Sequence, residues 1–371
     1  NSWGTGNLTK DYSFEHLFAS TLHASDLSMG DKYNVNNTKF QYDFLNDDPH
    51  LMTDMAMFIQ EKDTKIPKEL YEHLQNSHTN LLFYMNPPYA TGGNANAKNV
   101  DSKFDLGKTV VAQDMKERKL SVSEQLYAQF LFRIIQMKRS LDLKNVYIGL
   151  FSPTLFLTGQ KYKKFREEFF SEFEYVAGAM FRASYFADVK DTWAIGFTIW
   201  RTKSKEAQKV DAFKFKVLAL SKIGKVEEVG VKTLWNLDHD QTLQSWLKSP
   251  SEKGQQMKEQ PIFTSAFKYT KKVKDIRSDA LGFFINDTNN IEAAAKGCYL
   301  MPSKITRRIR TITLTESNFS KSMVAFTGRN IVRPNWINQK DEFSAPDNQH
   351  PNYKKFEVLS VVYSIFSPKN N

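Results

Sequence analysis

The chain has 371 residues, 41% of them hydrophobic and 25% charged, enough for two or three packed domains at roughly 100–200 residues each. Its one cysteine, Cys298, excludes an internal disulfide and a cysteine-cluster zinc site, so no metal is expected and a reducing, cytoplasmic setting is the expectation. The formal charge of +10 is uneven: residues 1 to 200 carry 22 Lys and Arg against 24 Asp and Glu, whereas residues 201 to 371 carry 29 against 17.

No apolar run approaches the roughly 18–20 residues of a membrane span, and the opening NSWGTGNLTK has neither the basic nor the apolar region of a secretion signal. Strand-like runs follow at His16 to Ser20, Lys39 to Phe44, Asn80 to Met85, Val146 to Ser152, Tyr175 to Phe181 and Ala194 to Arg201. Between them, Ser123 to Lys138 places Leu126, Phe130, Ile134 and Met137 at helical spacing, and Lys161 to Phe173 has a similar pattern. Strands alternating with helices predict an α/β fold built on a parallel sheet, whose ligands gather at the carboxyl ends of the strands. The polar stretch Thr202 to Lys209 predicts a boundary near residue 205, giving domains 1–204 and 205–371. Asp240 to Gln260, rich in Gln, Ser and Lys, reads as a loop.

The motifs lie at these strand ends. Gly4-Thr5-Gly6-Asn7 is a Gly-x-Gly turn, either a plain tight turn or one that lets the backbone approach a nucleoside closely. Asp26 stands where an acid accepts from ribose hydroxyls, and reads equally as a residue at a helix N-terminus. Asp43 closes the next run and is either an acceptor for an adenine amino group or a loop cap. Asn86-Pro87-Pro88-Tyr89 follows the apolar run Leu81 to Met85 directly. Two prolines cannot donate to a ladder, so they stop the strand abruptly. The turn is either a plain strand end or one in which the Asn86 amide oxygen and the Pro87 carbonyl are two acceptors aimed at one amino group, with Tyr89 offering a face for stacking. In the basic half, Arg307, Arg308, Arg310, Arg329 and Arg333 are candidates for phosphate or guanine contacts. Asn335, Asn338 and Gln339 around Trp336 are candidates for adenine edges or structural residues. The basic excess favours a polyanion such as duplex DNA as partner.

In their order, these motifs, followed by a basic C-terminal half, resemble the adenine-N6 DNA methyltransferases whose target-recognition domain comes last. The resemblance covers residues 1 to 200 at motif level. It implies a Rossmann-like methyltransferase sheet followed by a basic α+β target-recognition domain, S-adenosylmethionine as cofactor, and an adenine flipped out of duplex DNA as substrate. It gives Gly4, Thr5, Gly6 and Asn7 the approach to the cofactor, Asp26 the ribose and Asp43 the cofactor adenine. Asn86, Pro87, Pro88 and Tyr89 would form the catalytic turn, with Tyr89 on one face of the target base. Phe186 would stack on the other, with Tyr185 and Trp193 as alternatives.

The chain departs from that pattern in beginning at the glycine turn, so an N-terminal segment with the first strand is expected to be missing, and in having His23 where an acid is usual. The loop Ala90 to Val111 is expected to be mobile and to order on substrate entry. The resemblance implies a restriction-modification role, with further domains or subunits of such a system as partners. A non-catalytic specificity subunit on the same scaffold, or an amino-methyltransferase acting on RNA or protein, are the alternatives.

Overall fold

A computed structural model describes residues 6–28, 34–52, 64–87, 108–186, 193–206, 210–236, 243–247, 280–286, 289–294, 297–302 and 311–370. They fall into two compact units, one of residues 1–181 and 194–236, the other of 182–193 and 237–371.

The first unit starts with β1 (Phe18–Thr21), the short helix α1 (Ala24–Leu27) and β2 (Thr38–Gln41). β1 and β2 pair in parallel, Phe18 opposite Thr38 and Thr21 opposite Gln41. Then come α2 (Lys68–Gln75), β3 (Asn80–Met85), α3 (Val110–Glu117) and α4 (Leu126–Ser140). The unit closes with β4 (Asn145–Pro153), α5 (Lys163–Glu172), β5 (Phe173–Arg182), β6 (Ala194–Thr202), β7 (Ala212–Leu220) and β8 (Val226–Trp235). Six of these strands form one sheet in the order β3-β4-β6-β5-β7-β8.

That sheet is mixed, whereas alternation along the chain predicted a parallel one. β3 and β4 are parallel, as α3 and α4 between them provide the long crossover such a pair needs. β6 runs antiparallel to β4, and β8 antiparallel to β7. A mixed α/β sheet of this kind is compatible with a Rossmann-like fold.

α4 is buried on every side from Leu126 to Met137, its polar Gln129, Arg133 and Gln136 included. The four residues read as its stripe, Leu126, Phe130, Ile134 and Met137, all lie in the core. Arg133 is buried in it too, its Nη2 donating to the carbonyls of Asp47 and Asp48 at 2.8 Å each, which ties the helix to the loop after β2. α5 buries Phe165 and Phe169, and Phe169 meets the fully buried Trp200 of β6 edge to face at 4.9 Å between ring centroids.

β7 alternates Phe213, Phe215 and Val217 inward with Lys214 and Lys216 outward, the period of a half-buried strand. Its pairing with β5, Met180 opposite Val217, makes the β7–β8 hairpin part of the first unit. The boundary expected at residue 205 therefore falls before the hairpin, and the change of unit comes after Asn236.

The second unit contains α6 (Leu243–Leu247), β9 (Gly282–Asn286), α7 (Ile291–Ala294), β10 (Cys298–Met301), β11 (Thr311–Leu314), α8 (Phe319–Ile331) and α9 (Tyr353–Phe366). Its sheet is antiparallel in the order β10-β9-β11. Leu243 and Leu247 are buried in its core with Phe284, Leu300 and Phe326, so part of the stretch expected to be a loop is helical, held by these two leucines. α8 and α9 approach through small side chains: Ser360 and Ser364 are buried, and the Thr327 hydroxyl donates to the Ser360 carbonyl at 3.2 Å.

Candidate functional site

β3 ends at Met85, and Asn86 and Pro87 follow at once, Asn86 half-buried and Pro87 buried. The strand stops where the prolines begin, as their missing donors require. Pro88 and Tyr89 lie outside the described residues, as do Gly4, Thr5, Arg307, Arg308 and Arg310 and the loop from residue 90 to 107. The end of that loop, Val110 and Val111, instead opens α3, whose N-terminus is capped by Thr109: its hydroxyl accepts from the Ala112 amide at 3.0 Å and donates to Gln129 at 2.7 Å.

Because β1 and β2 are parallel and end in register, the residues that follow them emerge at one edge of their sheet. Asp26 follows β1, where its carboxylate accepts from the Thr21 hydroxyl at 2.8 Å, and it also sits in the first turn of α1. Asp43 follows β2; its carboxylate accepts from the Leu45 amide at 3.0 Å and from the Asn46 side chain at 2.7 Å. Asp43 is thus a loop cap in this structure, while both acids stay half-buried. Gly6 has φ +82, a left-handed conformation that glycine adopts without penalty. Its carbonyl accepts from the amides of Thr9 and Lys10 at 3.0 Å each, and Asn7 beside it is exposed.

A cleft of about 310 Å³ runs between β1 and β3. Leu8 and Thr9, just after the Gly6 turn, line it together with Phe18, Ala19, Leu81 and Tyr84 among others. The lining follows β3 as far as Tyr84; the buried Met85 comes next, and Asn86 and Pro87 follow it outside the lining.

One feature escaped the sequence reading. Tyr84 of β3, Phe151 of β4, Phe197 of β6 and Phe181 of β5 form a row across four neighbouring strands, all half-buried. Phe151 and Phe197 lie directly opposite each other, with centroids 4.6 Å apart, and Tyr84 stands 6.1 Å from Phe197. Gly149 pairs with Tyr84; a Cβ there would come within 3.1 Å of the Tyr84 ring and 3.4 Å of Phe197, so the glycine keeps room for both rings. Burial raises the Tyr84 phenol above its ordinary range. The signal lay in alternation, since residues two apart on a strand share a face.

Phe186 is half-buried and follows a single helical turn, Ala183–Tyr185, in the second unit, and Trp193 is half-buried as well. Arg333 is exposed there. Arg329 differs from its expected place at a phosphate: it is fully buried, its guanidinium 5.8 Å from the Phe343 ring centroid. Asn335 and Asn338 are also committed within the protein. The Asn335 side chain accepts from the Ile337 amide at 2.8 Å, the Asn338 side chain accepts from the Asn335 amide at 2.7 Å, and Gln339 is buried. These three residues hold a loop beside Trp336, over whose ring the Arg182 guanidinium lies at 5.4 Å.

No family model matches the chain, and no curated protein matches it. Among solved structures it is similar to a modification subunit of a putative type I restriction enzyme from Vibrio vulnificus YJ016, at 11% identity and a TM-score of 0.30, over 55% of this chain and 35% of that one. The chain therefore spans about a third of the length of that subunit.

Proposed function

We propose that the protein is an S-adenosylmethionine-dependent methyltransferase acting on adenine N6 in duplex DNA. The observation that carries this reading is the Asn86-Pro87 turn, set directly at the end of a strand that pairs in parallel with β4. In open α/β sheets, ligands bind beyond the carboxyl ends of strands.

The acceptors present fit the cofactor. Asp26 and Asp43, at one edge of the β1–β2 pair, would accept from a ribose and from an adenine amino group, Asp43 through the lone pairs left beside its capping bonds to Leu45 and Asn46, and the bend at Gly6 has no side chain to obstruct approach. When bound, the cofactor supplies an electrophilic methyl on a positively charged sulfur. The chain's own part is to position the amine. The Asn86 amide oxygen and the Pro87 carbonyl accept its two N–H bonds, and the nitrogen lone pair is drawn out of conjugation. The amine gains positive charge as the new bond forms, so these acceptors hold the transition state more strongly than the ground state. Orientation of this kind is worth about 7–11 kcal/mol. An amide is a weak base, so the proton departs to solvent after transfer. Flipping the base costs a few kcal/mol, offset by stacking and phosphate contacts.

The test is Asn86→Ala, assayed with labelled cofactor and duplex DNA and, in parallel, for DNA binding. Transfer should fall by at least about a hundredfold, the scale of losing one transition-state hydrogen bond, with DNA affinity within about twofold of the parent. Undiminished transfer would remove Asn86 from the role given to it.

A further inference from the structure

We propose that His16, Glu69 and His73 form a binding site for a divalent transition metal, of a donor set suited to zinc. Glu69 and His73 stand one turn apart on α2, so they share a face of that helix. His16 comes from the segment leading into β1 and reaches the same face: its Nδ1 is 3.4 Å from Glu69 Oε1, and its ring centroid is 5.0 Å from that of His73. One ligand atom from each of the three lies within 4.8 Å of the others. Zinc bonds of about 2.0–2.1 Å place neighbouring ligands of a tetrahedron about 3.3 Å apart, and modest side-chain rotations close the remaining gap.

The surroundings support the three ligands. The Thr38 hydroxyl, on β2, donates to the second carboxylate oxygen of Glu69 at 3.4 Å, and Phe18 of β1 packs edge-on against the His73 ring at 5.7 Å. Such outer contacts orient metal ligands. An ion pair between His16 and Glu69 would use one imidazole, whereas a metal uses both nitrogen ligands and the carboxylate together. His16 and Glu69 are each about half exposed, at 51% and 52%, which leaves a route for the ion. Two imidazoles and one carboxylate leave the fourth position of a tetrahedron open to water or another ligand. His16 and His73 also line the cleft between β1 and β3, so a bound ion would clip α2 to the β1–β2 pair at the margin of that cleft. A single cysteine argued against cysteine-cluster zinc; this set uses none.

The experiment takes the full chain, strips it with chelator and titrates it with cobalt(II) and then zinc. One equivalent of cobalt(II) should bind with the visible absorption of a low-symmetry site, and zinc should displace it. His16→Ala, His73→Ala and the near-isosteric Glu69→Gln should each weaken binding by more than the about 10–100-fold that loss of an outer-shell partner causes. Zinc should also raise the melting temperature of the parent and leave that of His73→Ala unchanged, with circular dichroism confirming that the variant folds. No saturable binding by the parent, or binding that survives in all three variants, would overturn the site. Neither readout depends on methyl transfer.

Discussion

Asn86 and Arg329 mark the two ends of what a single residue in this sequence reveals. The strand end before Asn86 was legible because two prolines after an apolar run have a steric consequence that no tertiary contact reverses, and β3 ends where they dictate. Arg329 was read as a surface cation because it lies in a basic half, but it falls on the inward side of α8 with Met323 and Phe326. Residue type alone carries no information about which face is buried. The two arginines should therefore separate in experiment. Arg333→Ala, at an exposed position, is expected to lower DNA affinity and to reduce the salt slope by about one, with no change in the urea midpoint. Arg329→Ala should instead lower the urea midpoint, since it empties a buried site beside Phe343. Equal loss of DNA affinity in both, with stability intact, would contradict these assignments. Cys298 completes the residue scale: burial pushes its thiol up to about 11, which keeps it a poor nucleophile. A disulfide reagent should label it only after unfolding, and rapid labelling of the native chain would contradict its placement.

At the scale of elements, β3 to β6 and helices α4 and α5 were recoverable because their patterns are long and strongly periodic. β7 carried an equally clear alternation, but its basic residues and the polar stretch before it drew it into the second domain. Only the pairing of Met180 with Val217 reveals that it extends the first sheet. Membership of a sheet is a contact between distant segments, which local sequence does not encode. The His16, Glu69 and His73 group was invisible for the same reason. Two predictions belong here. Trp200→Ala should cost about 3–5 kcal/mol, because the ring is fully buried among Phe156, Phe169 and Tyr175; a cost below about 1 kcal/mol would contradict its central place. The second concerns the contact of α4 with α5. Burial by itself would raise the Glu172 carboxyl, yet Lys138 and Arg139, at 2.8 and 2.7 Å, hold it below the ordinary carboxylate range. A carboxyl whose folded value is depressed contributes stability above its unfolded value and loses it as pH falls through the folded one. Glu172→Gln should therefore be less stable than the parent at neutral pH, and the urea midpoints of the two should converge in strong acid. A constant gap across the titration would rule this out.

For the whole molecule, residues 1 to 200 carry no basic excess and residues 201 to 371 are rich in lysine and arginine, part of that excess lying on the β7–β8 hairpin of the first unit. Among the described residues, no helix is long and apolar enough to cross a membrane. The proposed chemistry rests on one turn of the first unit, and the proposed cofactor site on the acids that follow β1 and β2. The most direct test is to incubate the protein with cofactor labelled in the transferable methyl, offering duplex DNA, RNA and protein separately, and then to hydrolyse each and identify the labelled unit. Label is expected in N6-methyladenine from duplex DNA. Label in RNA or protein alone, or in no substrate under conditions where the chain is folded and binds DNA, would contradict it.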